Sequence, residues 1–66
     1  MKAKVYFKYR NRYDVYTWDE AYIVLDTSDF IDAEIYQAAC SGDDVRVCEL
    51  ASINERDMHV THIVDA

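Results

Sequence analysis

The chain has 66 residues and a formal net charge of −6, from 13 acidic and seven basic side chains. Its single glycine and its lack of proline exclude the glycine-rich loops that hold nucleotide phosphates, because those loops need several glycines. A hydrophobic fraction of 52% is too high for a disordered acidic tail, so we expect one folded domain over residues 1–66.

The charge also indicates the kind of partner. Direct nucleic-acid binding relies on Lys and Arg, so an acidic chain with a pI of about 4.5 is predicted not to bind nucleic acid itself. A basic protein surface is the partner that this charge favours. The sequence has no apolar run near the roughly 20 residues of a membrane span and no signal-peptide core. We therefore expect a cytoplasmic protein, a monomer, without a membrane partner.

Residues 2–10 alternate between polar and apolar side chains. A period of two predicts a half-buried β-strand with a basic solvent-facing side. The polar set is Lys2, Lys4, Tyr6, Lys8 and Arg10, and the apolar set is Ala3, Val5, Phe7 and Tyr9.

Residues 18–26 support two interpretations. Thr17 followed by Glu20 matches a capping box, which would start a short helix over 18–26. The run from Ala21 to Leu25 is short, β-branched and aromatic, which favours a strand over residues 20–26. We predict the strand and keep the helix as the alternative. The strand would direct Ala21, Ile23 and Leu25 to the core.

Residues 28–41 carry the start, the apolar stripe and the end of a helix. Ser28 or Thr27 can cap its first turn, where Asp29 and Asp32 suit the positive end of the helix dipole. Gly42 follows the last turn, where a left-handed residue is needed. The stripe at helical spacing consists of Ile31, Ile35, Ala38 and Ala39.

The remaining chain is predicted to contain two strands. Residues 45–53 read as a strand with imperfect alternation, residues 54–57 as a polar turn, and residues 59–64 as a β-branched strand. The predicted fold class is therefore α+β, with the order β-β-α-β-β. In this fold, a small antiparallel sheet carries one helix packed on one face.

Four side chains were considered as ligands or nucleophiles. His59 and His62 lie three positions apart in a predicted strand and should point to opposite faces, so no shared metal ion is expected. Cys40 and Cys48 are predicted to be buried thiols rather than a disulfide in a reducing compartment. Neither cysteine has a base placed beside it by the sequence. We expect no cofactor, no metal and no enzymatic activity.

An acidic block dominates the middle of the chain: residues 13–45 contain nine carboxylates and no Lys, Arg or His. Pairing with the basic strand would neutralise Glu20 and Asp26 in part. We predict that the acids around the helix form an unpaired rim, with Tyr16 and Trp18 as aromatic anchors of an interface. The rim is Asp29, Asp32, Glu34, Asp43 and Asp44, and Asp19, Glu20 and Asp26 complete the candidate partner-binding acids.

The basic first strand Met1–Tyr9, the acidic run Trp18–Asp29, the single helix and the closing hairpin together resemble the small acidic anti-CRISPR proteins of phages and mobile elements. The likeness, one of length, charge and layout over the full chain, extends to inhibitors of type I Cascade complexes, including the I-C subtype.

The resemblance implies a DNA mimic acting in the cytoplasm of a bacterial host. Its acidic face would occupy a basic DNA-binding surface on a nucleic-acid-binding subunit of a CRISPR effector complex and block target DNA binding. The nine carboxylates match the phosphates of about four to five base pairs. The alternative is an acidic module for another basic partner, as in an antitoxin or a restriction inhibitor.

Overall fold

The computed structural model of the chain describes all residues from Met1 to Ala66. A three-stranded antiparallel sheet, in which the first strand lies between the second and the third, carries two helices on one face. The α+β class is confirmed, whereas the predicted order with four strands and one helix is wrong. The elements are β1 (Lys2–Arg10), β2 (Trp18–Asp26), α1 (Phe30–Cys40), α2 (Asp44–Ala51) and β3 (His59–Asp65).

The alternation predicted for the first strand is confirmed. Ala3, Val5 and Phe7 are buried beneath the helices, and the basic side of β1 faces away from them. All nine residues of β1 pair with β2, so Lys8 lies opposite Glu20. The alternative helix over 18–26 is wrong, because this pairing satisfies the backbone and turns every second side chain towards the core.

Helix α1 confirms the predicted helix with a shifted start. Its N-cap is Asp29 rather than Ser28 or Thr27, and the Asp29 carboxylate accepts hydrogen bonds from the amides of Ile31 and Asp32. Gly42 follows the helix with a φ of +75°, the left-handed conformation that glycine adopts without strain. The buried face consists of Ile35, Ala38 and Ala39, whereas Ile31 is exposed.

Helix α2 replaces the strand predicted over residues 45–53. Val47, Leu50 and Ala51, at spacings of three and four, pack against the core, and Val47 is fully buried. Val45 is 70% exposed, although an alternating strand would have put it on the same side as Val47. Packing on α1 therefore outweighs the weak β preference of the valines. Neither helix is long and apolar enough to cross a membrane.

Strand β3 contains a bulge that changes the position of the histidines. Tyr6 pairs with His62 and Phe7 pairs with Val60, which leaves Thr61 as the extra residue. His59 lies opposite Lys8, so both histidines are on the side of the sheet away from the helices. The prediction that they point to opposite faces is wrong, because the bulge adds one residue between them.

The chain contains no group of three or more side chains placed to hold a metal ion. Both cysteines are free. Cys48 is half-buried, but Cys40 is exposed at the end of α1, which contradicts the expectation that both thiols are buried.

Candidate functional site

The net charge of the molecule is concentrated in the segment that contains both helices. The connection between β2 and β3, residues 27–58, has eight carboxylates and two arginines, a formal charge of −6. The remainder of the chain is balanced. We call residues 27–58 the acidic helical layer. Its acids are Asp29, Asp32, Glu34, Asp43, Asp44, Glu49, Glu55 and Asp57.

Two exposed acids of this layer are held in place as helix caps. Asp29 caps α1, and its Oδ1 lies 2.9 Å from the amide nitrogen of Ile31. Asp43 caps α2, and its Oδ1 lies 3.1 Å from the amide nitrogen of Arg46. Each carboxylate therefore sits at the positive end of a helix, in a fixed orientation. Both carboxylates are therefore already ordered before a partner binds.

Three acids of the predicted rim have partners within the chain. Glu34 lies 3.7 Å from a guanidinium nitrogen of Arg46. The Asp44 carboxylate lies 3.1 Å from Nδ1 of His59 and also accepts a hydrogen bond from the amide of Val60. Asp32 accepts the amide of Asp26 at 2.9 Å. The expectation of an unpaired rim is therefore wrong for Glu34 and Asp44, whose partners lie in segments that the sequence does not place beside them.

The layer also contains acids that sequence reasoning missed. Glu49 and Glu55 are exposed and line an open depression of about 450 Å³, which Asp44 and Asp57 also line. Glu49 is not among the predicted site residues, because the pattern of residues 45–53 predicts a strand. The signal that could have found it is the spacing of Val47, Leu50 and Ala51, which indicates a helix with Glu49 on its outer side.

Cys48 also lines this depression. Burial, together with the nearby carboxylate of Asp44, raises the pKa of its thiol. The thiol therefore stays protonated and is a poor nucleophile at neutral pH.

The start of α1 presents apolar side chains beside the acids. Phe30 is 78% exposed and the neighbouring Ile31 is also exposed, directly after the capping Asp29. Large exposed side chains next to ordered charges are typical of protein interfaces. Sequence analysis missed this feature because it assigned Ile31 to the buried stripe.

The predicted aromatic anchors belong to other parts of the molecule. Tyr16 lies in the turn between β1 and β2, and Trp18 begins β2 on the side away from the helices. In the turn, Tyr13 and Tyr16 are 92% and 90% exposed. Neither predicted anchor is part of the acidic helical layer.

The turn that carries these tyrosines is ordered by two side chains. Asn11 Oδ1 accepts the amides of Tyr13 and Asp14, and its amide nitrogen donates to Asp19 at 2.8 Å. The hydroxyl of Thr17 and the amide of Tyr16 both donate to Asp14 and hold the pKa of that carboxyl below its usual value of 3.8. The candidate Asp19 is thus engaged within the hairpin.

The side of the sheet away from the helices, which we call the open face, combines basic and aromatic side chains. Lys4 Nζ lies 4.9 Å from the centre of the Tyr22 ring, and Lys8 Nζ lies 4.8 Å from that of Trp18. The rings of Tyr6 and His62 stack with centres 4.4 Å apart. Of the candidate acids, Glu20 and Asp26 belong to this face, opposite Lys8 and Lys2.

Comparison of the chain with protein-family models, curated proteins and solved structures finds no match. Its function therefore has to be inferred from the chemistry of its two faces.

Proposed function

We propose that this chain is an anti-CRISPR inhibitor that acts as a DNA mimic. Its acidic helical layer would occupy a basic DNA-binding surface of a CRISPR effector complex and block target DNA binding. The observation that carries the proposal is that residues 27–58, the segment that contains both helices, hold the whole formal charge of −6. The resemblance in length, charge and layout to small anti-CRISPR proteins suggests the class of partner.

The density of charge suits a surface built for DNA. Eight carboxylates correspond to the phosphates of about four base pairs. The molecule measures 37 × 21 × 17 Å, so these charges are spread over a body comparable in width to a duplex. Attraction of this kind speeds the encounter with a basic groove and weakens as salt is added.

Ordered charges and a nearby apolar contact would supply affinity. Asp29 and Asp43 are held as caps, so little conformational freedom is lost when a Lys or Arg binds them. Phe30 would provide the apolar contact beside Asp29. The depression lined by Glu49 and Glu55 would receive a basic side chain of the partner.

The test is a competition assay with purified effector complex and labelled double-stranded target DNA. Increasing amounts of the inhibitor should displace the DNA, and displacement should weaken at higher salt. Neutralising the layer without removing its caps should weaken inhibition by about tenfold or more, because steering by charge is lost. The variant combines Asp29→Asn, Asp43→Asn, Glu49→Gln and Glu55→Gln.

A matched control neutralises the open face with Lys4→Gln and Lys8→Gln and should inhibit like the unchanged chain. The proposal is wrong if saturating inhibitor leaves DNA binding by the complex unchanged. It is also wrong in its choice of face if the open-face variant loses inhibition and the layer variant keeps it. If the effector complex is not the partner, binding of the acidic helical layer to a toxin or a restriction enzyme is measured directly.

A further inference from the structure

The open face is the opposite of the acidic helical layer in charge and in composition. Its bases are Lys2, Lys4, Lys8 and Arg10, against the acids Glu20 and Asp26. Aromatic side chains lie between the bases: Tyr22 is 51% exposed, and Trp18 and His62 are also exposed. The net charge of the whole chain therefore does not describe this face.

Aromatic rings and cations alternate across the face. The Trp18 ring reaches across the central strand and lies 6.0 Å from the ring of His59 on β3, with the cations of Lys8 and Arg10 against it. The rings of Tyr6 and Tyr22 lie 5.3 Å apart. These contacts join the three strands into one continuous basic and aromatic surface.

We propose that the open face binds single-stranded nucleic acid. The bases of two nucleotides would stack on Tyr22 and on the Tyr6–His62 pair, as bases do on other sheets that bind RNA. Backbone phosphates would contact Lys4 and Lys8, because Arg10 is already engaged by Asp57 and the carbonyl of Val15. Because stacking uses the π-face that every base has, binding would be tolerant of sequence. A duplex hides its bases and is bound more weakly.

The aromatic residues favour nucleic acid over an acidic protein as the occupant. The carboxylates of an acidic protein would need only the cations of this face. Exposed rings set among cations instead match the alternation of bases and phosphates in a nucleic acid. Two acids of the helical layer reach this face, Asp57 at Arg10 and Asp44 at His59, whereas none of its other acids pairs with a residue of the open face. Salt screens charges over about 8 Å at physiological ionic strength. The expectation that an acidic chain avoids nucleic acid therefore does not extend to the open face.

The experiment is fluorescence anisotropy with the intact chain and labelled oligonucleotides of about ten nucleotides, in about 50 mM salt. Separate arms use oligo-dT, oligo-U and a duplex of the same length, which distinguish DNA from RNA and single from double strands. We expect binding of at least one single-stranded oligonucleotide, more tightly than the duplex. Because Trp18 is the single tryptophan, its fluorescence should change on the same titration.

Tyr22→Ala should weaken binding by about 5- to 100-fold, the range for losing one stacked base. Val24→Ala is the matched control, because Val24 is also exposed on the outward side of β2 but has no ring. Lys8→Gln should weaken binding and reduce its salt dependence, whereas Arg46→Gln in α2 should not. Circular dichroism should show the same fold for all four variants.

The proposal is overturned if neither single-stranded oligonucleotide binds, or if Tyr22→Ala binds as well as Val24→Ala. It is also overturned if the chain self-associates through this face, seen as an oligomer in sedimentation that Lys4→Gln and Lys8→Gln dissolve. The occupant would then be the acidic helical layer of a second copy.

This inference goes beyond the proposed inhibition and uses the other side of the molecule. Tyr22→Ala should still block DNA binding by the effector complex, whereas the variant with a neutral helical layer should still bind single-stranded oligonucleotide. The failure of one proposal is therefore distinguishable from the failure of the other.

Discussion

The guanidinium carbon of Arg10 lies 3.9 Å from the centre of the Trp18 ring. The same side chain donates a hydrogen bond from Nη1 to the carbonyl of Val15 at 2.9 Å, and its Nε lies 3.7 Å from the carboxylate of Asp57. One arginine therefore connects the end of the central strand, the β1–β2 turn and the loop that precedes β3.

Removal of this arginine should loosen three segments at once. We expect Arg10→Ala to lower the free energy of unfolding by about 1–2 kcal/mol, from the lost cation–π contact and hydrogen bond. Arg12→Ala is the control, because Arg12 is exposed and forms none of these contacts, and it should stay within about 0.5 kcal/mol. Urea unfolding followed by circular dichroism measures both, and equal losses would contradict this role.

The assignment of residues 44–51 as a helix can be checked with two valines. Val47→Ala should lower the free energy of unfolding by about 1.5–3 kcal/mol, because it opens a cavity in the core. Val45→Ala should change it by less than about 0.5 kcal/mol, since Val45 is exposed. Losses of similar size from both substitutions in thermal or urea unfolding would instead fit a strand with both valines on one face.

Two substitutions at the N-cap of α2 separate the structural role of Asp43 from its charge. Asp43→Ala should cost about 1 kcal/mol, because the amide of Arg46 loses its acceptor. Asp43→Asn keeps the acceptor and should retain most of that stability while losing the charge. Chemical denaturation of the two variants tests this, and the idea fails if asparagine is as destabilising as alanine.

Stability should fall at acid pH through two ordered carboxylates. The hydroxyl and amide of Ser28 hold the pKa of Asp26 below its usual value of 3.8, as Thr17 and Tyr16 do for Asp14. A folded-state pKa below the unfolded one gives stability that is present above the unfolded value and is lost as pH falls through the folded value. The loss should therefore lie below pH 3.8.

A hydroxyl variant isolates one of these carboxylates. Thr17→Val removes the largest cause of the lowered pKa of Asp14. It should reduce the free energy of unfolding at about pH 7 and have a smaller effect at about pH 2, because Asp14 takes up protons as the pH falls through its folded-state pKa, which lies below 3.8. Unfolding curves at the two pH values provide the measurement, and an equal effect at both would count against the mechanism.

The two thiols should differ in reactivity. Cys40 is exposed, whereas Cys48 is half-buried and burial raises the pKa of its thiol. Iodoacetamide at about pH 8 should therefore modify Cys40 severalfold faster, since the thiolate is the reactive form. Peptide mass spectrometry gives the two rates, and unfolded protein, in which they should converge, is the control. Faster modification of Cys48 in the folded chain would refute this.

Where local pattern and tertiary structure agree, the sequence was a good guide. The strict alternation of residues 2–10 predicts β1, and Asp29 and Asp32 in the first turn with Gly42 after the last turn predict α1. In α2, the spacing of Val47, Leu50 and Ala51 fits a helix, but eight residues are too few for that period to outweigh the valines, which favour a strand. Residues 44–51 form a helix because they pack on α1, and local propensity does not reveal that packing.

The candidate site was predicted less well, because it depends on contacts between distant segments. The pairs Glu34–Arg46 and Asp44–His59 exist only once the helices are docked on the sheet. The bulge at Thr61 places His62 beside Tyr6, and no local pattern marks it. The composition correctly shows a net acidic charge, but this net charge is a sum over the whole chain and conceals the basic open face.

The position of β1 in the middle of the sheet also bears on how fast the molecule folds. Its pairing with β2 closes a short turn, since Arg10 pairs with Trp18, whereas its pairing with β3 joins Ala3 to Asp65, 62 positions later. A loop of that length loses much entropy before its contacts form. The β1–β2 hairpin and the helix pair can form locally, so we expect the docking of β3 to set the folding rate.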